Sequence, residues 1–203
     1  MNITNVRIRP YEAKDNDNRL ANVQVVLNDS LALYGIVIMR AVSEEGERLW
    51  LSMPARKLPE TTADGEKRER AYSDYFHPIS KEARDELTRV VLEHYEKVKA
   101  DPEAEFTSPA AKELKVESVS MTYPKTDDSM PLAYAAVVLD NGMRLSQIRV
   151  VKKKDSDELS LMMPARKRAE GKYLEVFHPI TAEFRAALTK AVLAEYKPDG
   201  AEV

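Results

Sequence analysis

Apolar and polar residues partly alternate along Ile3-Thr4-Asn5-Val6-Arg7-Ile8-Arg9, the period of a strand with one face in a core. After the polar turn residues 14–18 comes a β-branched run at 23–27, then a third apolar stretch at 31–39. Asn28-Asp29-Ser30 between these two reads as a hairpin turn. A fourth strand, 49–53, stops at Pro54, which has no N–H to give to a ladder. The period then changes. Ala83, Leu87, Val90, Val91, His94 and Val98 share one face at helical spacing, behind Ser80 as N-cap and Glu82 in the first turn.

The same pattern runs through the chain a second time. Met53-Pro54-Ala55-Arg56-Lys57 recurs unchanged as Met163-Pro164-Ala165-Arg166-Lys167, and Phe76-His77-Pro78-Ile79-Ser80 recurs as Phe177-His178-Pro179-Ile180-Thr181. Leu20–Leu27 has its counterpart in Leu132–Leu139, and Arg84, Leu87, Thr88, Val91, Leu92 and Tyr95 in Arg185, Leu188, Thr189, Val192, Leu193 and Tyr196. Strands are therefore expected again at 116–121, 135–139, 143–151 and 159–163. Asp140-Asn141-Gly142 is the stronger of the two hairpin signals, and a helix should follow Thr181 with Phe184, Leu188, Ala191, Val192 and Tyr196 inward. Ordered blocks of this kind mark a tandem duplication. The first repeat spans 1–99 and the second 114–203. Residues 100–113, with Pro102, Pro109 and several acids, read as a linker.

The predicted fold is α+β: each repeat is a four-stranded antiparallel sheet with a C-terminal helix. One helix covers little of a sheet, so such small units gain from association. An intramolecular pseudo-dimer is expected, with equivalent strands meeting about an approximate two-fold axis. The pairs Arg56-Lys57 and Arg166-Lys167 should emerge near that axis. Further assembly would use the remaining sheet edges.

Composition narrows the chemistry. The 203 residues include no cysteine, which excludes disulfides, Cys-ligated zinc, Fe–S clusters and thiol catalysis. The apolar stretches fall far short of the ~20 residues that span a bilayer. Met1-Asn2-Ile3-Thr4 lacks a signal-peptide layout, so the expectation is a cytoplasmic protein with no membrane partner. A net charge of −3 does not mark a bulk nucleic-acid binder, but bulk charge governs only long-range attraction, and a local basic patch works on an acidic chain.

His77 and His178 both precede proline. They suit a metal or acid–base pair, or more plainly a fixed lead into the helix, since proline holds the preceding residue extended. No cluster with ligand spacing accompanies them, so no metal or other cofactor is expected. Hydroxyls form no nucleophile elbow and glycines form no phosphate loop. An enzyme is not expected.

The basic residues after each Met-Pro carry more. Arg56-Lys57 and Arg166-Lys167-Arg168 are expected in a loop at a sheet edge, which continues through Lys67, Arg68 and Arg70 in one repeat and Lys172 in the other. The bland reading is a solvated loop, part-cancelled by Glu60, Asp64, Glu66 and Glu69. Against it, Pro-Ala-Arg-Lys is intact in both repeats while much of the apolar core has diverged. Arg84 and Arg185, flanking the helix face, suit a structural role with the head bonded to a strand. Arg89 and Lys190 point outward and suit phosphate contacts.

These residues carry a resemblance. Val6-Arg7-Ile8-Arg9, Met53-Pro54, Arg56-Lys57, His77-Pro78-Ile79, Arg84 and Tyr95, and in the second repeat Met163-Pro164, Arg166-Lys167, His178-Pro179-Ile180, Arg185 and Glu195-Tyr196, resemble the stage V sporulation protein G (SpoVG) family of septation regulators. The resemblance implies small bacterial cytoplasmic proteins that dimerise and bind DNA or RNA without catalysis, and hence a family dimer fused into one chain. The expected nucleic-acid contacts are Arg56, Lys57, Arg70, Arg89, Arg166, Lys167, Arg168 and Lys172. The alternative is a protein-interaction module that pairs exposed sheet edges with a partner.

Overall fold

The computed structural model describes residues 1–11, 18–44, 46–61, 67, 71–124, 131–154, 156–167 and 171–198. Arg68, Arg70, Arg168, most of the turn at 14–18 and the one at 125–129 lie outside the described residues.

In the first repeat the chain forms β1 (Ile3–Pro10), β2 (Arg19–Leu27), β3 (Leu31–Ser43) and β4 (Gly46–Ser52), an antiparallel run in which neighbours in sequence are neighbours in space. Alternation decides the faces: Val6, Ile8, Val23, Val25, Ile36 and Ile38 are buried on one side, leaving Arg7, Arg9, Asn22 and Gln24 on the other. Asn28 and Asp29 both take φ of 50° in the tight turn between β2 and β3, a conformation that Asn and Asp tolerate through local hydrogen bonding. Three short strands follow, β5 (Ala55–Lys57), β6 (Tyr72–Asp74) and β7 (Phe76–Pro78), before α1 (Lys81–Ala100). Ser80 caps α1 by accepting from the Ala83 N–H at 3.1 Å, and Ala83, Leu87, Val91, His94, Tyr95 and Val98 are buried beneath it.

The second repeat repeats the plan with β9 (Val116–Thr122), β10 (Ala133–Leu139), β11 (Met143–Lys152), β12 (Leu159–Met162), β13 (Ala165–Lys167), β14 (Tyr173–Glu175), β15 (Phe177–Pro179) and α2 (Ala182–Glu195). Thr181 caps α2 through the Phe184 N–H.

The repeats are joined by exchanged strands. β7 leaves its own sheet and pairs with β11, setting Phe76 opposite Leu145, His77 opposite Arg144 and Pro78 opposite Met143. β15 does the reciprocal, setting Phe177 opposite Leu33, His178 opposite Ala32 and Pro179 opposite Leu31. Outlying backbone bonds are reciprocal too: Tyr34 N donates to Val176 O at 2.8 Å, and Ser146 N to Tyr75 O at 2.7 Å. Phe76 and Phe177, both fully buried, meet edge to face at 6.3 Å. One continuous apolar core runs through both repeats. Like positions meeting like positions is the mark of an isologous interface, so the pseudo-dimer expected from the duplication is the arrangement found.

The exchange also explains three departures from the expected layout. Each four-stranded sheet gains a strand from the other repeat. His77 and His178 lead into the helices in extended geometry as expected, but within strands that cross to the other repeat: His178 stacks on Tyr34 of the opposite repeat at 5.5 Å. The segment between repeats is an ordered strap, since β8 (Phe106–Thr107) pairs with β1. Phe106 packs 5.8 Å from His94, while the Asn28 side-chain N–H donates to Lys112 O at 2.9 Å and the Lys112 ammonium meets Asp140 at 3.0 Å. The two hairpin turns thus grip the strap.

Candidate nucleic-acid interface

Arg56-Lys57 and Arg166-Lys167 lie on strands, not in the expected loop. β5 pairs with β6, and β13 with β14, as two-stranded ribbons. Each ribbon leans over the outer face of the opposite repeat's sheet, because the exchanged strand that follows it is anchored there. Ala55 and Ala165 open β5 and β13, with Arg56 and Arg166 in the middle and Lys57 and Lys167 at the end.

The second repeat's ribbon closes a cleft of about 730 Å³ over the first repeat's sheet. Four cations line it: Arg7 and Arg9 from β1, and Arg166 and Lys167 from β13. Among the described lining residues Glu175 is the one carboxylate, and Asn22, Gln24 and Tyr34 supply neutral polar groups. The Arg166 guanidinium donates to the Ala55 carbonyl of the first repeat and stands 5.5 Å from the centre of the Tyr75 ring. It therefore reaches the strand of the first repeat that carries Arg56. Arg7 is close enough to Tyr34 to favour its phenolate, although burial dominates and holds the Tyr34 hydroxyl above the ordinary tyrosine range.

The other expected residues divide. Arg56 and Lys57 are exposed on the first ribbon. Lys172 is exposed just before β14, outside the lining of the cleft. Arg89 lies on the outer face of α1, its Nη1 bonded to both Glu93 oxygens at 3.0 and 3.1 Å, so it is already partnered away from the cleft. Lys152 and Lys153 pair with Asp157 and Glu158 at 2.9 and 2.6 Å. Arg185 donates to Pro179 O at 2.9 Å, the structural role expected of it. Arg7 and Arg9 are the contributors that attention to the Met-Pro-Ala-Arg-Lys block passes over. Their signal is the alternation of β1, which places both arginines on the face opposite Val6 and Ile8.

The pseudo-equivalent cleft, about 350 Å³, lies over the second repeat's sheet under the first ribbon. Strand register makes Ser120 the counterpart of Arg7, and Thr122 that of Arg9. This cleft has Arg144 and Asp74 among its lining residues and lacks the paired arginines of β1. The two halves of the pseudo-dimer are thus electrostatically unequal. Among the described residues there is no group of three or more His, Asp or Glu side chains placed to hold a metal ion, and no helix long and apolar enough to cross a membrane.

Two sheet-plus-helix repeats that trade their last strands form a dimer fused into one polypeptide. The chain belongs to the SpoVG family: the family profile matches residues 1–97 and again 114–198. A "Putative septation protein SpoVG" from Lachnospira eligens is 40% identical over 98 residues, covering 48% of this chain and 93% of the relative. One of the same name from Fusobacterium nucleatum is 33% identical, covering 51% and 98%, and one from Archaeoglobus fulgidus is 36% identical, covering 46% and 93%. Each relative corresponds nearly whole to about half of this chain, which carries two copies in tandem. No solved structure matches the chain significantly.

Proposed function

We propose that this two-copy SpoVG protein is a non-enzymatic regulator that binds nucleic acid, with phosphates held in the cleft between the first repeat's sheet and the second repeat's ribbon. The observation that carries this reading is the convergence of Arg7, Arg9, Arg166 and Lys167, with Glu175 the one carboxylate among the described lining residues. Arginine forks suit phosphate oxygens bidentately. Sheet-borne cations at one cleft concentrate the positive field although the whole chain is acidic. Contacts of this kind position a backbone without reading bases, so sequence preference should be modest. Arg56 and Lys57 on the neighbouring ribbon extend the basic path.

The test is a titration of labelled DNA and RNA oligonucleotides against the protein at several salt concentrations. Four neutralised phosphates predict a log–log slope of roughly −3 for a single strand, and an Arg166→Ala variant should bind more weakly with a shallower slope. Undetectable binding at low salt, or affinity indifferent to salt, overturns the proposal. Capture of protein partners alone would then favour pairing at the sheet edges.

A further inference from the structure

The outer face of the first repeat's sheet carries more than cations. Tyr34 lies beside Gln24, which is in turn opposite Arg7. On the same face, Trp50 of β4 is opposite Met39. Both aromatics are half-buried and neither belongs to the apolar core under α1. Gly35 and Arg166 line the basic cleft and also the adjoining cavity of about 1100 Å³ in which Trp50 stands, together with the exposed Tyr72. The cleft therefore continues from the arginines to the tryptophan.

Comparison of the two repeats singles out the same four positions. The register equates Arg7, Arg9, Tyr34 and Trp50 with Ser120, Thr122, Ser146 and Ser160. At these four positions two cations and two aromatics on one face stand against four hydroxyls on the other, on strands paired in the same order, while Tyr134 and Arg144 line the second repeat's cleft at other positions. The second repeat keeps the same sheet with hydroxyls at these positions, so the sheet itself does not require large side chains there; in the first repeat Tyr34 sets one ring face against His178.

We infer that the ligand of this cleft is a single strand of nucleic acid laid across the outer face of the first repeat's sheet, its phosphates on Arg7, Arg9, Arg166 and Lys167 and its bases stacked on Tyr34 and Trp50. The second repeat's face holds none. The inference rests on the nucleic-acid reading above and adds strandedness and stoichiometry. In a duplex the base faces are already stacked on one another, whereas a single strand offers them to aromatic side chains on a sheet.

Trp50 is the only tryptophan, so its emission reports on this face alone. The experiment titrates the full chain with a ~12-nucleotide oligothymidine, a length within the site sizes of single-strand binders, and with a duplex of equal length, reading Trp50 emission and the anisotropy of end-labelled oligonucleotide together. Quenching that saturates at one oligothymidine per chain, with weaker duplex binding, is expected. Tyr34→Ser and Trp50→Ser install the residues that the second repeat carries, and by anisotropy each should lose roughly 5- to 100-fold in affinity for the single strand. Trp50→Phe should retain most of it. Oligothymidine binding that leaves Trp50 emission unchanged, equal affinity for duplex, or two oligonucleotides per chain overturns the inference while leaving the nucleic-acid reading standing. No anisotropy change with any nucleic acid overturns both.

Discussion

The guanidinium of Arg166 stands 5.5 Å over the ring of Tyr75, and the mirror contact does not exist, because Val176 occupies the position equivalent to Tyr75. This pairing adds to the anchoring of the second repeat's ribbon, which the exchanged β15 holds over the first repeat's sheet. An exposed cation–π contact contributes about 0.5–1 kcal/mol. Tyr75→Val, which makes the two repeats alike here, should lower stability by at least that amount in urea unfolding, because Tyr75 also packs against the shared core, and should weaken nucleic-acid binding. A variant with unchanged stability and unchanged binding would show that Tyr75 does not position Arg166.

The paired phenylalanines should matter far more. Phe76 and Phe177 are fully buried at the centre of the shared core. Phe76→Ala or Phe177→Ala removes a large side chain where the surroundings cannot collapse, a loss of about 3–5 kcal/mol. Both variants should show it by denaturant midpoint, since both residues serve one interface. A loss confined to one of them would mean that the repeats contribute unequally to the junction.

Cleavage within the strap tests the exchange in solution. β7 stays paired with β11, and β15 with β3, whether or not residues 101–105 are cut. A protein carrying an inserted protease site there should therefore elute as one species on a sizing column after cleavage. Separate fragments would contradict the interlocked arrangement.

His94 gives the protein an acid-side weakness. It is 2% exposed beneath α1, and burial, reinforced by Lys97, pushes its pKa below 6.5. The unfolded chain then binds a proton that the native chain resists, so stability is complete above about 6.5 and falls as pH drops from there toward the lowered native value. Thermal midpoints of the parent and of His94→Gln, compared at neutral and mildly acidic pH, should converge on acidification. Parallel curves would contradict this.

Much of this architecture is written in local pattern. Alternation in β1 to β4, the Asn28-Asp29 turn, the Ser80 and Thr181 caps and the duplicated Met-Pro-Ala-Arg-Lys and His-Pro-Ile blocks define the repeat without reference to anything distant. What local pattern does not contain is the partner of β7 and β15. Three residues ending in proline look the same whether they return to their own sheet or cross to another. The ribbon strands β5 and β13 are similarly short, and Arg56-Lys57 reads as loop because its pairing partner, Tyr72–Asp74, lies beyond residues 58–71. The strap reads as linker since only Phe106 and Thr107 pair in it. The basic cleft joins β1 to β13, more than 150 residues apart in sequence, so Arg7 and Arg9 meet Arg166 and Lys167 only once the strands have exchanged.

The central claim is that nucleic acid is held by the cations of one cleft, and exchanging residues between the two repeats tests it most directly. Arg7→Ser with Arg9→Thr gives the first face the residues of the second. Lys152→Ser with Lys153→Ser removes as much charge from a turn where both lysines are paired with acids. The salt dependence of oligonucleotide binding is measured for both proteins and the parent. The log–log slope should shrink by roughly one unit per cation removed in the Arg7/Arg9 variant, with weaker binding at low salt, and stay at the parent value in the Lys152/Lys153 variant. Equal losses in the two variants, or an unchanged slope without Arg7 and Arg9, would contradict it.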